Sequence, residues 1–232
     1  MQEEVVDMSL SQHIARVRGW TRRRASTVMI GLTAVTLAVG AVGVGTAPRA
    51  EAAVMFGHDI SWPQCPTSVG GFGLPMPPDS TAFVVVGLTK GLPFTQNPCI
   101  ASQRTWVQTR AKPAHAYTMA GFPTSAQLST YGTRGPFSAS SRAGRLSNVG
   151  YSEARAAVVT LQSVNWHPPV VWIDVEPRPA QPWPSSTAAQ RLENRYVIEG
   201  LMRGLRDWGY SYGFYSNTSG WQAITGSWRQ PA

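Results

Sequence analysis

Past residue 52 the chain alternates short, continuous apolar runs with longer segments of helical periodicity. Residues 54–61 form an apolar segment ending in Asp-Ile-Ser, which predicts a first strand. A loop rich in Pro and Gly follows over 63–78. The run TAFVVVGL at 81–88 is too continuously apolar for a half-exposed strand and predicts a buried one. A helix is expected over 101–110 and a third strand at 114–119 (AHAYTM), stopped by Gly121 and Pro123. Ser152 reads as the cap of a helix running to about 162, with Glu153 in its first turn. VVWIDV at 170–175 is a fourth buried strand, closed by Pro177. The clearest helix covers about 187–208, with Leu192, Tyr196, Leu201, Leu205 and Trp208 at helical spacing and Gly209 where a C′ glycine belongs. YGFYS at 212–216 is a fifth strand, and a further helical turn begins at Ser219.

The resulting order βαβαβαβαβ, with apolar strands, predicts an α/β protein whose parallel sheet is covered by helices. Five strands suit either a doubly wound sheet or part of a barrel. No Gly-x-Gly-x-x-Gly follows the first strand and there is no Walker sequence, so nucleotide folds gain no local support. The Gly-x-Ser-x-Gly elbow of serine hydrolases is also missing.

Residues 1–52 belong to a different pattern. Thr-Arg-Arg-Arg at 21–24 precedes a nearly uncharged stretch over 25–48, which ends in Arg-Ala-Glu-Ala-Ala at 49–53. A positive segment, an apolar segment and an Ala-x-Ala site make an export signal, with cleavage expected after Ala52. The apolar run is also long enough to remain as a membrane anchor, and the arginines allow a twin-arginine reading that the following residues fit poorly. The expected domain is therefore 53–232, secreted or associated with the cell wall. Composition suggests a Gram-positive, high-GC exporter. In an exported chain the two cysteines, Cys65 and Cys99, imply one disulfide. Without neighbouring His or Cys they make no zinc site.

Charge narrows the function. The chain has 232 residues and a net charge of +8, and only 14% of it is charged. Past residue 52 the 14 Lys and Arg form no basic run, which leaves nucleic-acid binding without support. The basic balance suits an anionic cell wall, or ordinary surface charge. Eight acids remain. Asp79 falls in a loop, and Glu153, Glu193, Glu199 and Asp207 fall in amphipathic helices, where they are expected to face solvent. Asp59, Asp174 and Glu176 instead sit at the C-terminal ends of apolar strands, where β/α barrels place catalytic groups. Asp174 and Glu176 are two apart, so they share a face with Trp172. Paired carboxylates in an apolar setting drive one pKa up, as glycoside hydrolysis requires. The same pair could instead hold loop amides or an arginine.

HDISWPQ at 58–64 resembles the first-strand Asp-x-Ser motif of glycoside hydrolase family 25, the lysozyme-type muramidases. WIDVEP at 172–177 resembles that family's Asp-x-Glu motif. FVVVGLTKG at 83–91, AYTMAGFPT at 116–124 and YGFYSN at 212–217 are similar to its second, third and fifth strands. The chain is also similar to glycoside-hydrolase-like domains of exported actinobacterial proteins. The resemblance implies an irregular TIM-type β/α barrel that cleaves peptidoglycan glycan strands without a metal or organic cofactor. By residue match Glu176 is the proton donor, Asp174 orients the 2-acetamido group or acts as partner carboxylate, and Asp59 completes the acidic floor. Tyr117 matches a family tyrosine, while Met119 stands where a polar residue is usual. The family's sixth strand and those after it have no counterpart here, so the barrel is expected to be truncated after the fifth strand; either the sequence is a fragment, which is the expectation, or the barrel is open and inactive. Trp62, Trp183 and Tyr215 are candidate sugar platforms, or equally residues that pack the core or clamp loops, and Lys90 a candidate for a substrate carboxylate or for Asp59. His58 is expected to point away from Asp59, and His115 and His167 have no second ligand. The expected partner is peptidoglycan or another polysaccharide, with membrane contact only through an uncleaved signal. The alternative is a non-catalytic cell-wall or glycan-binding module on a degenerate barrel.

Overall fold

The computed structural model describes residues 55–229. The expected signal segment and its cleavage site lie outside them. Five strands are formed: β1 Gly57–Ile60, β2 Phe83–Gly87, β3 Ala114–Met119, β4 Val171–Asp174 and β5 Tyr212–Tyr215. Five helices accompany them: α1 Ile100–Thr109, α2 Ser125–Tyr131, α3 Arg142–Ser163, α4 Ala188–Asp207 and α5 Thr218–Thr225. All strand pairs are parallel, in the order β1-β2-β3-β4-β5.

That order decides between the two architectures the sequence allowed. A doubly wound sheet reverses its strand order partway, which puts helices on both faces. Here the order never reverses, and right-handed crossovers then place every helix on one face. Burial follows suit. Val84, Val86, Ala116, Val171 and Ile173 are fully buried in one cluster with Leu146, Val158 and Leu161 of α3 and Ile198, Leu201 and Leu205 of α4. Their alternate neighbours Val85, His115, Tyr117 and Trp172 lie half-buried on the other face. The sheet is open: β1 and β5 do not pair with each other. The expected barrel is thus an open five-stranded sheet among the described residues.

Two helices depart from expectation. α2 had no counterpart in the sequence reading, although Thr124 caps it with a reciprocal bond to Gln127. α3 begins eleven residues earlier than expected, and its cap is Ser141, which accepts from the Gly144 amide. Ser152 is an interior residue whose hydroxyl donates to the Asn148 and Arg134 carbonyls. The polar, glycine-containing stretch 142–150 reads as a loop because its glycines serve packing. A Cβ on Gly150 would collide with the Val197 carbonyl, and one on Gly200 with that of Ser147. The backbones of α3 and α4 therefore touch, and glycine's helix cost of about 1 kcal/mol is offset by that close crossing.

Cys65 and Cys99 form the expected disulfide, with Cα atoms 5.6 Å apart. Beside it, buried Asn97 donates to the Gly87 carbonyl (2.7 Å) and to Gln103 (2.8 Å), and Gln103 donates to the Ser61 carbonyl (2.6 Å). The C-terminal ends of β1 and β2 are fixed by these bonds.

Candidate active site

The helix-free face carries rows of side chains set by the register. One row runs Ser61, Gly87, Tyr117, Trp172, Gly213. Large and small residues alternate so that each ring has room: a Cβ on Gly87 would stand 2.6 Å from the Tyr117 ring, and one on Gly213 2.5 Å from the Trp172 ring. The Tyr117 phenol reaches over β2 to hydrogen-bond the Ser61 side chain. Trp172 Nε1 donates to His115 Nδ1 at 3.1 Å, and burial lowers the His115 pKa, which keeps that nitrogen an acceptor.

The next row up holds Met119, Asp174 and Tyr215. Asp174 ends β4 and is 3% exposed. Glu176 follows two residues later with 28% of its side chain exposed. Arg178 turns back over both: its Nη2 donates to Asp174 Oδ2 and to Glu176 Oε2, each at 3.0 Å. The sequence reading missed this residue by name, although an arginine was among the partners it allowed for the pair. Burial pushes the Asp174 carboxyl up to about 7, and the Glu176 charge adds to it. Arg178 opposes both effects through its charge and its hydrogen bond, and Asp59 raises the value further. Burial is also the main cause that holds the Tyr117 phenol protonated, with the charges of Asp59 and Asp174 assisting. Asp59, Tyr117, Asp174, Glu176 and Arg178 thus act on one another electrostatically. Asp59 itself is exposed at the edge strand.

The candidate sugar platforms separate. Trp62 is half-buried, packed edge-on against Phe72 with ring centroids 4.6 Å apart, and Lys90 Nζ lies 5.9 Å from its ring. Tyr215 pairs in register with Asp174 on β5 and is half-buried. Trp183 is corrected: it is 7% exposed and packs into the helix-side core, so it offers no open face to a sugar. Its Pro/Ser loop suggested exposure, but the segment folds back over the core. His58 is exposed and bonded to Thr81 Oγ1 at 2.9 Å. Among the described residues no group of three or more His, Cys, Asp and Glu is placed to hold a metal ion.

A second correction concerns Glu153. It was expected to face solvent, yet it is 2% exposed inside α3. Burial raises its pKa well above the usual carboxylate range, opposed only weakly by the Gly121 amide, and neither oxygen has a partner at full hydrogen-bond geometry. With Thr89, Thr118 and Tyr131 it lines a cavity of about 320 Å³ on the helix side of the strand ends.

The family described as Lysozyme-like protein 1 matches residues 142–232. No curated protein matches the chain. Among solved structures, the modular autolysin LytC from Streptococcus pneumoniae is similar at 16% identity, with a TM-score of 0.47 over 72% of this chain and 33% of that one. The same autolysin in complex with a synthetic peptidoglycan ligand gives 15% identity and a TM-score of 0.47, with the same coverage. The catalytic domain of endolysin ply40 from bacteriophage P40 of Listeria monocytogenes is 17% identical, with a TM-score of 0.44 over 74% of this chain and 68% of that one. The chain spans about a third of the length of the LytC chain. The match to the family described as Lysozyme-like protein 1 covers less than half of the chain, from the start of α3 through β4, the Asp174–Glu176 pair and β5.

Proposed function

We propose that the protein is a glycoside hydrolase acting on peptidoglycan glycan strands, with Glu176 as the general acid. The observation that carries this reading is the coupled pair of Asp174 and Glu176 at the end of β4, one buried and one reachable. Glycosidic cleavage needs a proton donor at the leaving oxygen and negative charge near the oxocarbenium centre. Glu176, with 28% of its side chain exposed, can reach a substrate. Asp174 lies behind it at 3% exposure and titrates near 7, so a substantial share of it is ionised at neutral pH. Asp174 then stabilises the developing positive charge, alone or with the substrate's acetamido oxygen. Asp59 and Tyr117 complete the polar face, and Trp62 and Tyr215 offer sugar-stacking surfaces. Lys90, exposed beside Trp62, is placed to meet an anionic group on the glycan. Residues 1–52 would direct export and leave 53–232 at the cell wall.

The test is release of new reducing ends from purified peptidoglycan by the full chain and by Glu176→Gln. Release by the wild type and its loss in the variant supports the reading. Release that survives Glu176→Gln removes Glu176 from the acid role.

The second reading is a wall-binding module without turnover. The ion pairs from Arg178 favour it, because a guanidinium on both carboxylates stabilises their ionised forms and opposes a proton donor. Retained glycan binding with no reducing ends from any folded form would select it.

A further inference from the structure

Arg178 occupies the candidate site in a way that leaves much of its bonding capacity unused. A guanidinium presents five N–H donors in a rigid fork that matches a carboxylate two bonds at a time. Here one nitrogen, Nη2, makes both bonds to the acids. Nε is buried with no partner, as is Asp174 Oδ1. About a third of the Arg178 side chain remains open to solvent. The two contacts also differ in their surroundings. The bond to Asp174 lies against a side chain only 4% exposed, whereas the bond to Glu176 lies against one 28% exposed. Solvent and ligands therefore compete for the Glu176 contact far more readily than for the Asp174 contact.

We propose that Arg178 is the receptor for a carboxylate borne by the glycan, and that it releases Glu176 when that carboxylate binds. The inference rests on the glycosidase reading of the site. The incoming carboxylate takes Nη1 and the Nη2 hydrogen given up by Glu176, while Nε stays buried. Asp174 keeps its bond and anchors the arm. One charge-assisted contact is exchanged for a bidentate one, which favours the exchange. The exchange also draws positive charge away from Glu176 as the sugar arrives. The group that must carry a proton is then freed from the cation that opposes one. Recognition of an anionic glycan and arming of the acid become a single event, and a neutral glycan of the same backbone leaves Arg178 locked across the pair.

Binding of two glycan preparations to the full chain tests this. The first is peptide-free glycan strands with free carboxylates; the second is the same strands with those carboxylates amidated. Calorimetry at fixed ionic strength reads binding without requiring turnover. The wild type should prefer the carboxylated strands about tenfold, the size of one good charge-assisted contact. Arg178→Gln should bind both strands alike, and Arg203→Gln, remote in an exposed pair with Asp207, should keep the preference. Arg178→Lys keeps the charge without the fork and should reduce the preference several-fold, which provides an answer if the glutamine variant does not fold. Equal binding of both strands by the wild type, no binding of either, or a preference that survives in the Arg178 variants overturns the proposal. Reducing-end release from the carboxylated strands, measured in parallel, judges the glycosidase reading separately.

Discussion

The indole of Trp172 lies across Gly213 of the neighbouring strand, where a Cβ would come within 2.5 Å of the ring. The ring is held from its other side by the bond from Nε1 to His115. Gly213 is therefore part of the site's architecture and not a strand weakness. Gly213→Ala should push the ring off its place and cost about 1–3 kcal/mol, the usual range for overpacking. At this chain length that lowers the melting temperature by several degrees. Thermal melting followed by near-ultraviolet circular dichroism checks it, and an unchanged aromatic signal with an unchanged melt would contradict the packing described.

Asp174 makes stability depend on pH. Its carboxyl is at about 7 when folded and at the ordinary 3.8 when unfolded. Between those values the folded chain keeps a proton that the unfolded chain has released, so unfolding becomes easier as pH rises. The advantage is complete below about pH 4 and lost as pH passes about 7. Asp174→Asn removes this dependence. The variant should melt with the wild type near pH 3.5 and clearly above it at pH 8, and activity should fall with it. A pH-independent difference would show that the carboxyl does not titrate as described.

Glu153 should behave in the same direction, without serving the chemistry. Its folded pKa is raised by burial, so it too withdraws stability as pH climbs through and above the carboxylate range. Glu153→Gln keeps the shape and removes the charge. The melting temperature at pH 8 should rise by about 3 °C or more, while reducing-end release from peptidoglycan stays within about twofold of the wild type. A loss of stability at pH 8 would mean that the carboxylate has a partner the structure does not show.

The Cys65–Cys99 bridge closes a loop with a sequence separation of 34. Cross-linking a loop of that size stabilises by roughly 3–4 kcal/mol in the chain-entropy account. Reduction should lower the melting temperature by about 10 °C and loosen the Trp62–Phe72 contact, because Phe72 stands within that loop and Trp62 three residues before it. Intrinsic tryptophan fluorescence with and without reductant measures both.

Much of the fold was legible because its signals are local. β2 and β4 lie in continuous apolar runs and α4 has a clean stripe, so their order and type follow from the residues alone. α2 was not legible, being seven residues with little periodicity. The front of α3 was hidden by Gly144 and Gly150, which read as loop until the close approach of Gly144 to Ser138 and of Gly150 to α4 is known. The misplacement of Glu153 follows from that error. Once α3 starts at Arg142, Leu146, Val149, Glu153, Ala157 and Leu161 fall on one stripe, and the acid is inside it. The sequence leaves Trp183 open between a sugar platform and core packing, because a polar, proline-rich loop gives no sign that it folds back over the core; the structure selects the core.

The sequence by itself determined the alternation of strand and helix, the pairing of the only two cysteines, and the shared face of Asp174 and Glu176. These follow from strand periodicity and cysteine arithmetic, which need no distant partner. Tertiary structure alone decided that the strands lie in unbroken order, that one face stays free of helices, and that Arg178 bridges the two acids. It also decided that Asp174 is buried enough to titrate near 7. Each of these depends on which segments meet in space, and burial and charge coupling take their size from distance and solvent access, which a linear pattern does not contain.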